Sequence, residues 1–404
     1  MEIKELLKPF SRSDYQRYNF DSFISANKFS FDVPCIHIAG TNGKGSTACY
    51  IASIYENNGY KVAKFTSPYL FKVNEMIKVN EQDISDEDFI RLFNTHKKQF
   101  EKYDLSAFEI ETFIALNYFM EQKCDIAIIE CGMGGEIDAT NIITPVLSII
   151  TSISLEHTEF LGHTISEIAM QKCGIIKREV PVLIDEFDED AITTICREAN
   201  AKKATVHYIK SHIEYVLTKE GYKLSYFPYG EIKLNSFAKY SIIDACFALE
   251  AVTILKDRFP FADESVSEAI FKVKMPCRFE IVKEKPLVIL DGAHNPEAAK
   301  KTVETIYQYG YYPIHVIFSC FRDKNLGSLL SQFGSLGNDL TLTTFPHPRA
   351  RTQDEYFLFL GDYPYEEDCL ELIKKKIEEF PEDMILVTGS LAFVAYVKEK
   401  LFHV

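Results

Sequence analysis

Short, near-continuous apolar runs recur along the chain. Each ends in a glycine-rich or polar turn followed by apolar positions at helical spacing. Cys35-Ile36-His37-Ile38-Ala39 leads into a glycine loop, after which Thr47 to Asn57 has the period of a helix. Asp125 to Glu130 leads into Cys131-Gly132-Met133-Gly134-Gly135, and Val146 to Ile153 ends before Glu156-His157. Strands that are apolar on both sides and alternate with helices predict a doubly wound, mainly parallel sheet covered on both faces. From Val206 to Leu234 the texture changes to short alternating runs with turns such as Glu220-Gly221, which predicts a small antiparallel patch. Ser241 to Lys256 reads as a helix, and the pattern breaks near Met275 to Arg278. A second series of apolar strands opens at Pro286-Leu287-Val288 and continues through His315 to Ser319, Leu340 to Thr344 and Met384 to Thr388. The expectation is an α/β protein with a larger domain over residues 1–280 and a smaller α/β domain over residues 281–404.

Composition narrows the function classes. The 404 residues carry 44 Lys+Arg against 59 Asp+Glu, a net charge of −15, which excludes the broad basic surface that nucleic acid demands. With 47% hydrophobic and 25% charged residues, the chain can build an ordinary globular core without metal or disulfide staples. The 10 cysteines are scattered through apolar stretches, and no two have zinc-ribbon or redox spacing, so reduced, buried thiols are expected. Met1 to Phe10 mixes charges and predicts no export signal, and the longest apolar run, Val146 to Leu155, is far short of the ~20 residues that span a membrane. A monomeric cytoplasmic protein with no membrane or nucleic-acid partner is the expectation.

Gly40-Thr41-Asn42-Gly43-Lys44-Gly45-Ser46 follows a strand and precedes a helix. Glycines let backbone N–H groups wrap phosphate oxygens, the helix N-terminus adds a favourable dipole, and Lys44 can reach a terminal phosphate. The larger domain is therefore expected to be of the P-loop kind, with Asn42, Gly43, Lys44, Gly45 and Ser46 around the phosphates of ATP.

Further motifs follow in order: Phe65-Thr66-Ser67-Pro68, Phe108-Glu109 with Thr112, Glu130 to Asn141 (ECGMGGEIDATN), Leu161 to Thr164, and Gln171 to Lys177. Pro276 to Glu280, Leu290 to Pro296 (LDGAHNP), Arg322-Asp323-Lys324, Pro348-Arg349-Ala350 and Val387 to Leu391 complete the set. With GTNGKGS, these resemble the folylpolyglutamate synthase/dihydrofolate synthase family of the Mur-ligase superfamily, and the resemblance spans almost the whole chain. It implies a Rossmann-like C-terminal domain and an ATP-dependent ligase of folate and one-carbon metabolism. Such an enzyme adds L-glutamate to the γ-carboxylate of a reduced folate through an acyl phosphate. Some relatives also join dihydropteroate to glutamate.

The resemblance implies Mg²⁺ at Ser67, Glu130 and His157, with a monovalent cation such as K⁺ as a further cofactor, and a Lys172 that is carbamylated in many relatives. It implies nucleotide contacts from Asp244, Arg278 and Asp291, pteroate contacts from Ser106 and Asp138, and glutamate contacts from His294, Arg349 and Ser390. Lys44, Lys172, His157 and His294 are the expected catalytic groups. Plainer readings stand beside these: a turn hydroxyl for Ser67, a surface histidine for His157, an acid-paired lysine for Lys172, a linker salt bridge for Arg278 and a helix cap for Asp291, while Phe108 reads as a core ring or as one that stacks on a pterin. Glu130 resists such a reading, because a carboxylate closing an apolar strand needs a charged partner.

The chain departs from the family pattern at Tyr69, Met76, Glu156, Gln171, Tyr240-Ser241, Met275 and Cys277, and most consequentially at Asp244, where an amide is typical. Two other readings stay open: a Mur-type ligase for a different amino acid or a UDP-linked peptide, and a nucleotide-binding regulatory protein without ligase chemistry, which Asp244 keeps alive. The implied substrates, ATP, a folate and glutamate, are anions facing a protein of charge −15. Capture then rests on local cations such as Lys44, Arg278 and Arg349, while the overall field repels. Added salt from a low-salt start is expected to lower the KM for ATP modestly before it screens the local contacts. A KM that rises monotonically with salt would contradict this.

Overall fold

The computed structural model describes residues 2–11, 17–310, 313–337 and 339–402. The chain divides into two compact units. The first comprises Met1–Tyr215, Leu224–Lys233 and Ile243–Val273; the second comprises Val216–Lys223, Leu234–Ile242 and Lys274–Val404.

The first unit is built on strands β1 (Cys35–Ala39), β2 (Val62–Phe65), β3 (Ile77–Val79), β4 (Gln82–Asp83), β5 (Ile126–Glu130), β6 (Leu147–Ile150), β7 (Val182–Ile184) and β8 (Val206–Tyr208). Their order across the sheet is β4-β3-β2-β5-β1-β6-β7-β8. Pairing is parallel from β2 to β8 and antiparallel at the β2-β3-β4 edge. Every residue of β1, β2, β5 and β6 is buried, as strands covered on both faces require. The helix Ala107–Glu121 is buried almost all round, from Glu109 to Phe119, and packs with Phe20, Phe23, Phe65 and Phe100 in the main core. By contrast, the helix Asp86–Lys102 is polar outside, and is capped by Ser85 Oγ accepting from Asp88 N at 3.1 Å with three acids in its first turn.

Three further strands, β9 (Tyr215–Thr218), β10 (Gly221–Tyr226) and β11 (Gly230–Lys233), form the expected small separate sheet. Val206 to Tyr208, grouped with it by sequence, instead closes the large sheet as β8, parallel to β7. The expected helix starts at Lys44 rather than Thr47, since Gly45 masks its first turn in the sequence.

In the second unit β12 (Glu280–Lys283), β13 (Leu287–Asp291), β14 (Ile314–Phe318), β15 (Leu340–Thr344), β16 (Tyr365–Asp368) and β17 (Met384–Thr388) form a six-stranded sheet ordered β12-β13-β17-β14-β15-β16. All pairs are parallel except β12-β13. At the amino end of β14, His315 is buried between Asp339 and Asp383, with Nε2 2.9 Å from Asp383 Oδ2 and its ring stacked 3.8 Å from that of Phe380. Burial raises the Asp339 carboxyl, but the Lys376 ammonium at 2.8 Å and His315 outweigh it and hold the group below the usual range. Both units match the doubly wound expectation.

One buried acid puts pH dependence into the first core. Glu111, on the helix Ala107–Glu121, is pushed up to about 8 by burial, and no cation offsets that effect. The unfolded chain releases this proton near pH ~4.3, whereas the folded chain holds it. The stability contributed by the neutral acid is therefore complete at low pH and is lost as pH rises towards about 8. Glu111→Gln is expected to gain on the parent steadily over that window, reaching about 2–4 kcal/mol in urea unfolding at pH 8. A gap that does not change with pH would refute the assignment.

Candidate active site

Central strand β1 lies between β5 and β6, with Ile38 level with Glu130 on one side and Ile149 on the other. The loop Gly40–Gly43 therefore leaves the sheet at the carboxyl ends of three strands, where connections diverge and a ligand crevice forms. Gly43 starts the helix Lys44–Glu56 at φ 84°, and a Cβ there would stand 2.4 Å from Asp244 Oδ1. At Gly40 a Cβ would stand 2.0 Å from Thr151 Oγ1, so both positions demand glycine for close approach.

The segment after β6 fixes the loop from the side. Thr151 Oγ1 donates to Asn42 O at 2.7 Å, and Ser152 Oγ donates to the same oxygen at 3.1 Å. Ser152 Oγ also accepts from Asn42 N at 2.7 Å, and Thr41 N donates to Ser152 O at 3.0 Å. These hydroxyls escaped the sequence reading; their only signal is the polar run Thr151-Ser152-Ile153-Ser154 closing an apolar strand. Gly43 makes no side-chain cap, so the first-turn N–H groups of Lys44, Gly45 and Ser46 point outward as an anion cradle.

Lys44 Nζ donates to Gly40 O at 3.0 Å and Thr41 O at 3.3 Å, and lies 3.8 Å from Glu130 Oε1. Ser67 N donates to Glu130 Oε2 at 3.1 Å, and a Cβ at Gly45 would meet that oxygen at 3.2 Å. Lys44, Gly45, Ser67 and Glu130 thus converge, and the buried Asp244 carboxylate sits over Gly43 beside them. His157, left-handed at φ 51°, starts the short helix Thr158–Leu161 with Nε2 3.9 Å from Glu156 Oε1. Among the described residues no three His, Cys, Asp or Glu side chains gather to hold a metal. Glu130, held beside Ser67 through the Ser67 N–H, is still a hard oxygen donor of the kind that suits Mg²⁺ completed by phosphate and water.

A second loop, Cys131 to Asn141, lies beside this centre. Asp138 is buried; Oδ2 accepts from Met133 N at 2.7 Å and Oδ1 from Thr140 N at 2.9 Å and Thr140 Oγ1 at 2.6 Å. Burial raises its carboxyl, and these hydrogen bonds hold it back. Arg17 Nη1 donates to Asp138 O, tying in the helix Arg17–Ala26. His37 Nε2 is 2.8 Å from Thr140 Oγ1 and 3.1 Å from Cys131 Sγ. Burial pushes His37 down to about 3, with the charges of Lys177 and Arg17 adding to it, so the ring is neutral.

Ser106 Oγ donates to Glu109 Oε2 at 2.7 Å and accepts from Glu109 N at 3.4 Å in a capping box, which commits its hydroxyl to starting a helix. The Phe108 ring lies against Gly132, where a Cβ would stand 2.5 Å from its Cζ, and 5.8 Å from the Phe65 ring. Lys172 is 2% exposed in the last turn of the helix Ile165–Cys173, and a Cβ at Gly135 would stand 2.9 Å from its carbonyl oxygen.

In the second unit Asp291 and His294 lie at the carboxyl end of β13, Ser390 follows β17, Arg349 follows β15, and Arg278 precedes β12. Asp291 accepts four hydrogen bonds: Tyr240 OH and Phe279 N on Oδ2, each at 2.8 Å, and Ala293 N at 3.0 Å and Thr302 Oγ1 at 2.9 Å on Oδ1. It is thereby a clamp on the segment holding Arg278, whose neighbours Cys277 and Phe279 are both left-handed, at φ 60° and 49°. The half-buried Arg278 guanidinium makes no ion pair with a described residue. His294 Nδ1 lies 2.9 Å from Gly292 O, and Ser390 is buried at the start of the helix Leu391–Val397. Gly389 packs so closely that a Cβ would stand 2.5 Å from Ser319 O. Arg349 donates to Asp323 Oδ1 at 2.8 Å and lies 4.4 Å over the Phe321 ring. Burial raises Asp323, but Arg349 outweighs it and holds the carboxyl below its usual range.

Two family descriptions cover most of the chain: the Mur ligase middle domain over residues 38–251 and the Mur ligase glutamate ligase domain over residues 277–391. The chain is 33% identical to the dihydrofolate synthase/folylpolyglutamate synthase of Bacillus subtilis, over 91% of this chain and 90% of that protein. It is 28% identical to the folylpolyglutamate synthase of Lacticaseibacillus casei, over 91% of this chain and 89% of that one. A solved structure of Escherichia coli FolC in complex with ADP, without folate substrate, is 26% identical and superposes with a TM-score of 0.87, covering 98% of this chain and 97% of that one. Loop, sheet order and relatives agree: the chain belongs to the folylpolyglutamate synthase/dihydrofolate synthase family of Mur ligases.

Proposed function

We propose that this protein is an ATP-dependent ligase that adds L-glutamate to the γ-carboxylate of a reduced folate, and that it also accepts dihydropteroate as the acid. The observation that carries the reading is the convergence of Lys44, the Gly40–Gly43 loop and Glu130 at the carboxyl end of β1. The folate carboxylate attacks the γ-phosphorus of ATP and ADP leaves, giving an acyl phosphate. The glutamate amine then attacks the acyl carbon, and inorganic phosphate departs as the amide forms. Lys44 and the first-turn N–H groups stabilise charge building on the transferring phosphoryl group. Mg²⁺, held by Glu130 and Ser67 with His157, would supply further charge neutralisation there.

Arg278, which makes no ion pair with a described residue and whose neighbour Phe279 is held by Asp291, is assigned to the nucleotide with Asn42, Gly43, Gly45, Ser46 and Asp244. Ser106 and Asp138 are assigned to the pteroate end of the acid substrate. His294, Arg349 and Ser390 are assigned to glutamate, whose carboxylate must compete with Asp323 for Arg349. His294 is assigned to take the amine proton, with its ring held by Nδ1 donating to Gly292 O. Carbamylation of Lys172 would turn a buried cation into an anion able to orient a cation such as Mg²⁺ or K⁺. Ten free cysteines, most of them buried, support a reducing, cytoplasmic setting, and no helix of the described residues is long and apolar enough to cross a membrane. We assign the monomer as the working unit.

Purified protein with ATP, Mg²⁺, L-glutamate and either tetrahydrofolate or dihydropteroate is expected to release phosphate only when both acid and glutamate are present. Release with neither acid, or release that ignores glutamate, sinks the reading. Lys44→Ala is expected to lower kcat/KM about a thousandfold with an unchanged melting temperature. Asp244→Asn removes a carboxylate facing the phosphate loop and is expected to lower the KM for ATP about fivefold. An unchanged or higher KM would show that the carboxylate instead accepts a hydrogen bond from the nucleotide.

A further inference from the structure

We propose that His37 is a positioning residue that ties the phosphate-loop strand to the folate-side carboxylate Asp138, acting through Thr140 and Cys131. The proposal rests on the assignment of Asp138 to the acid substrate made above. His37 sits at the middle of β1, fully buried, three residues before Gly40. Thr140 Oγ1 donates its only proton to Asp138 Oδ1 at 2.6 Å, so the lone pairs of that hydroxyl face His37 Nε2 at 2.8 Å. Nε2 must therefore carry the ring proton, and it shares that proton with Cys131 Sγ at 3.1 Å.

The other ring nitrogen settles the tautomer independently. His37 Nδ1 is buried with no hydrogen-bond partner among the described residues. A proton there would leave an N–H without an acceptor and the Thr140 lone pair without a donor, two uncompensated groups instead of one bare acceptor. A second proton would add a charge in an apolar layer with no anion against it. The neutral Nε2–H ring is thus the form that leaves the fewest of these groups uncompensated.

The consequence is directional. Oδ1 of Asp138 is pinned by the chain from His37 through Thr140, and Oδ2 is pinned by Met133 N at 2.7 Å. The same loop is fastened at Glu136, whose N donates to Gln171 O at 2.7 Å, next to Lys172. A movement of β1 when its loop takes phosphate is therefore passed by hydrogen bonds, rather than by soft packing, to the carboxylate on the acid side. A residue that merely filled the core at position 37 would affect stability without favouring one substrate.

Steady-state kinetics of His37→Ala, His37→Gln and Thr140→Val separate these roles. His37→Ala and Thr140→Val are expected to raise the KM for tetrahydrofolate about tenfold and to leave that for ATP within about twofold. His37→Gln, whose amide N–H reaches towards the Nε2 position, is expected to recover most of the loss. An equal rise in both KM values, or a glutamine variant no better than alanine at matched melting temperature, overturns the proposal. Nitrogen NMR of the parent protein labelled at histidine is expected to show a protonated Nε2 and a bare Nδ1 for His37. An Nδ1–H or imidazolium signal overturns it as well. If the parent released no folate-dependent phosphate, the assignment of Asp138 would fall, while the spectrum would still report on the hydrogen-bond chain.

Discussion

The hydrogen bonding of β1 between β5 and β6 is the constraint on which the first unit depends. Because Ile38 is level with Glu130 and Ile149, the backbone must leave the sheet with a carboxylate on one flank and the hydroxyls of Thr151 and Ser152 on the other. The hydroxyls saturate the Asn42 carbonyl and N–H, so the loop keeps its curvature without a ligand. The carboxylate holds Lys44 near the loop carbonyls. A register slip of one residue would turn Glu130 to the opposite face and leave Lys44 without its anion. The site is therefore a property of strand pairing first and of side chains second.

Much of this was legible in the sequence, for a physical reason. Buried parallel strands must be apolar on both sides, so Cys35 to Ala39 and Asp125 to Glu130 stand out, and the glycines after them mark where backbone must meet phosphate. Edge strands carry no such signature. β12 and β16 are short and partly exposed, and β8 alternates, which is why Val206 to Tyr208 read as part of an antiparallel patch although it extends the parallel sheet.

Pairings between residues distant in sequence were the least legible part. Nothing near Arg349 announces Asp323 as its partner, and nothing near Ser106 beyond Glu109 shows that its hydroxyl already takes part in a helix cap. His37 looked like one polar residue in an apolar run, and only the fold sets it against Thr140 and Cys131. Motif resemblance names residues that sit near a ligand; it does not say which of their lone pairs are still available.

Asp291 shows what that difference means for selectivity. Both of its oxygens are already filled by two donors each, from a tyrosine, a threonine and two backbone amides. A carboxylate in that state reads no sugar hydroxyl unless one of its donors, most readily the Tyr240 phenol on its flexible side chain, swings away. Discrimination between ribose and deoxyribose at this residue is thus opposed by an internal competitor of nearly equal strength. A nucleotide reaching this residue would then gain little preference for ribose over deoxyribose from it.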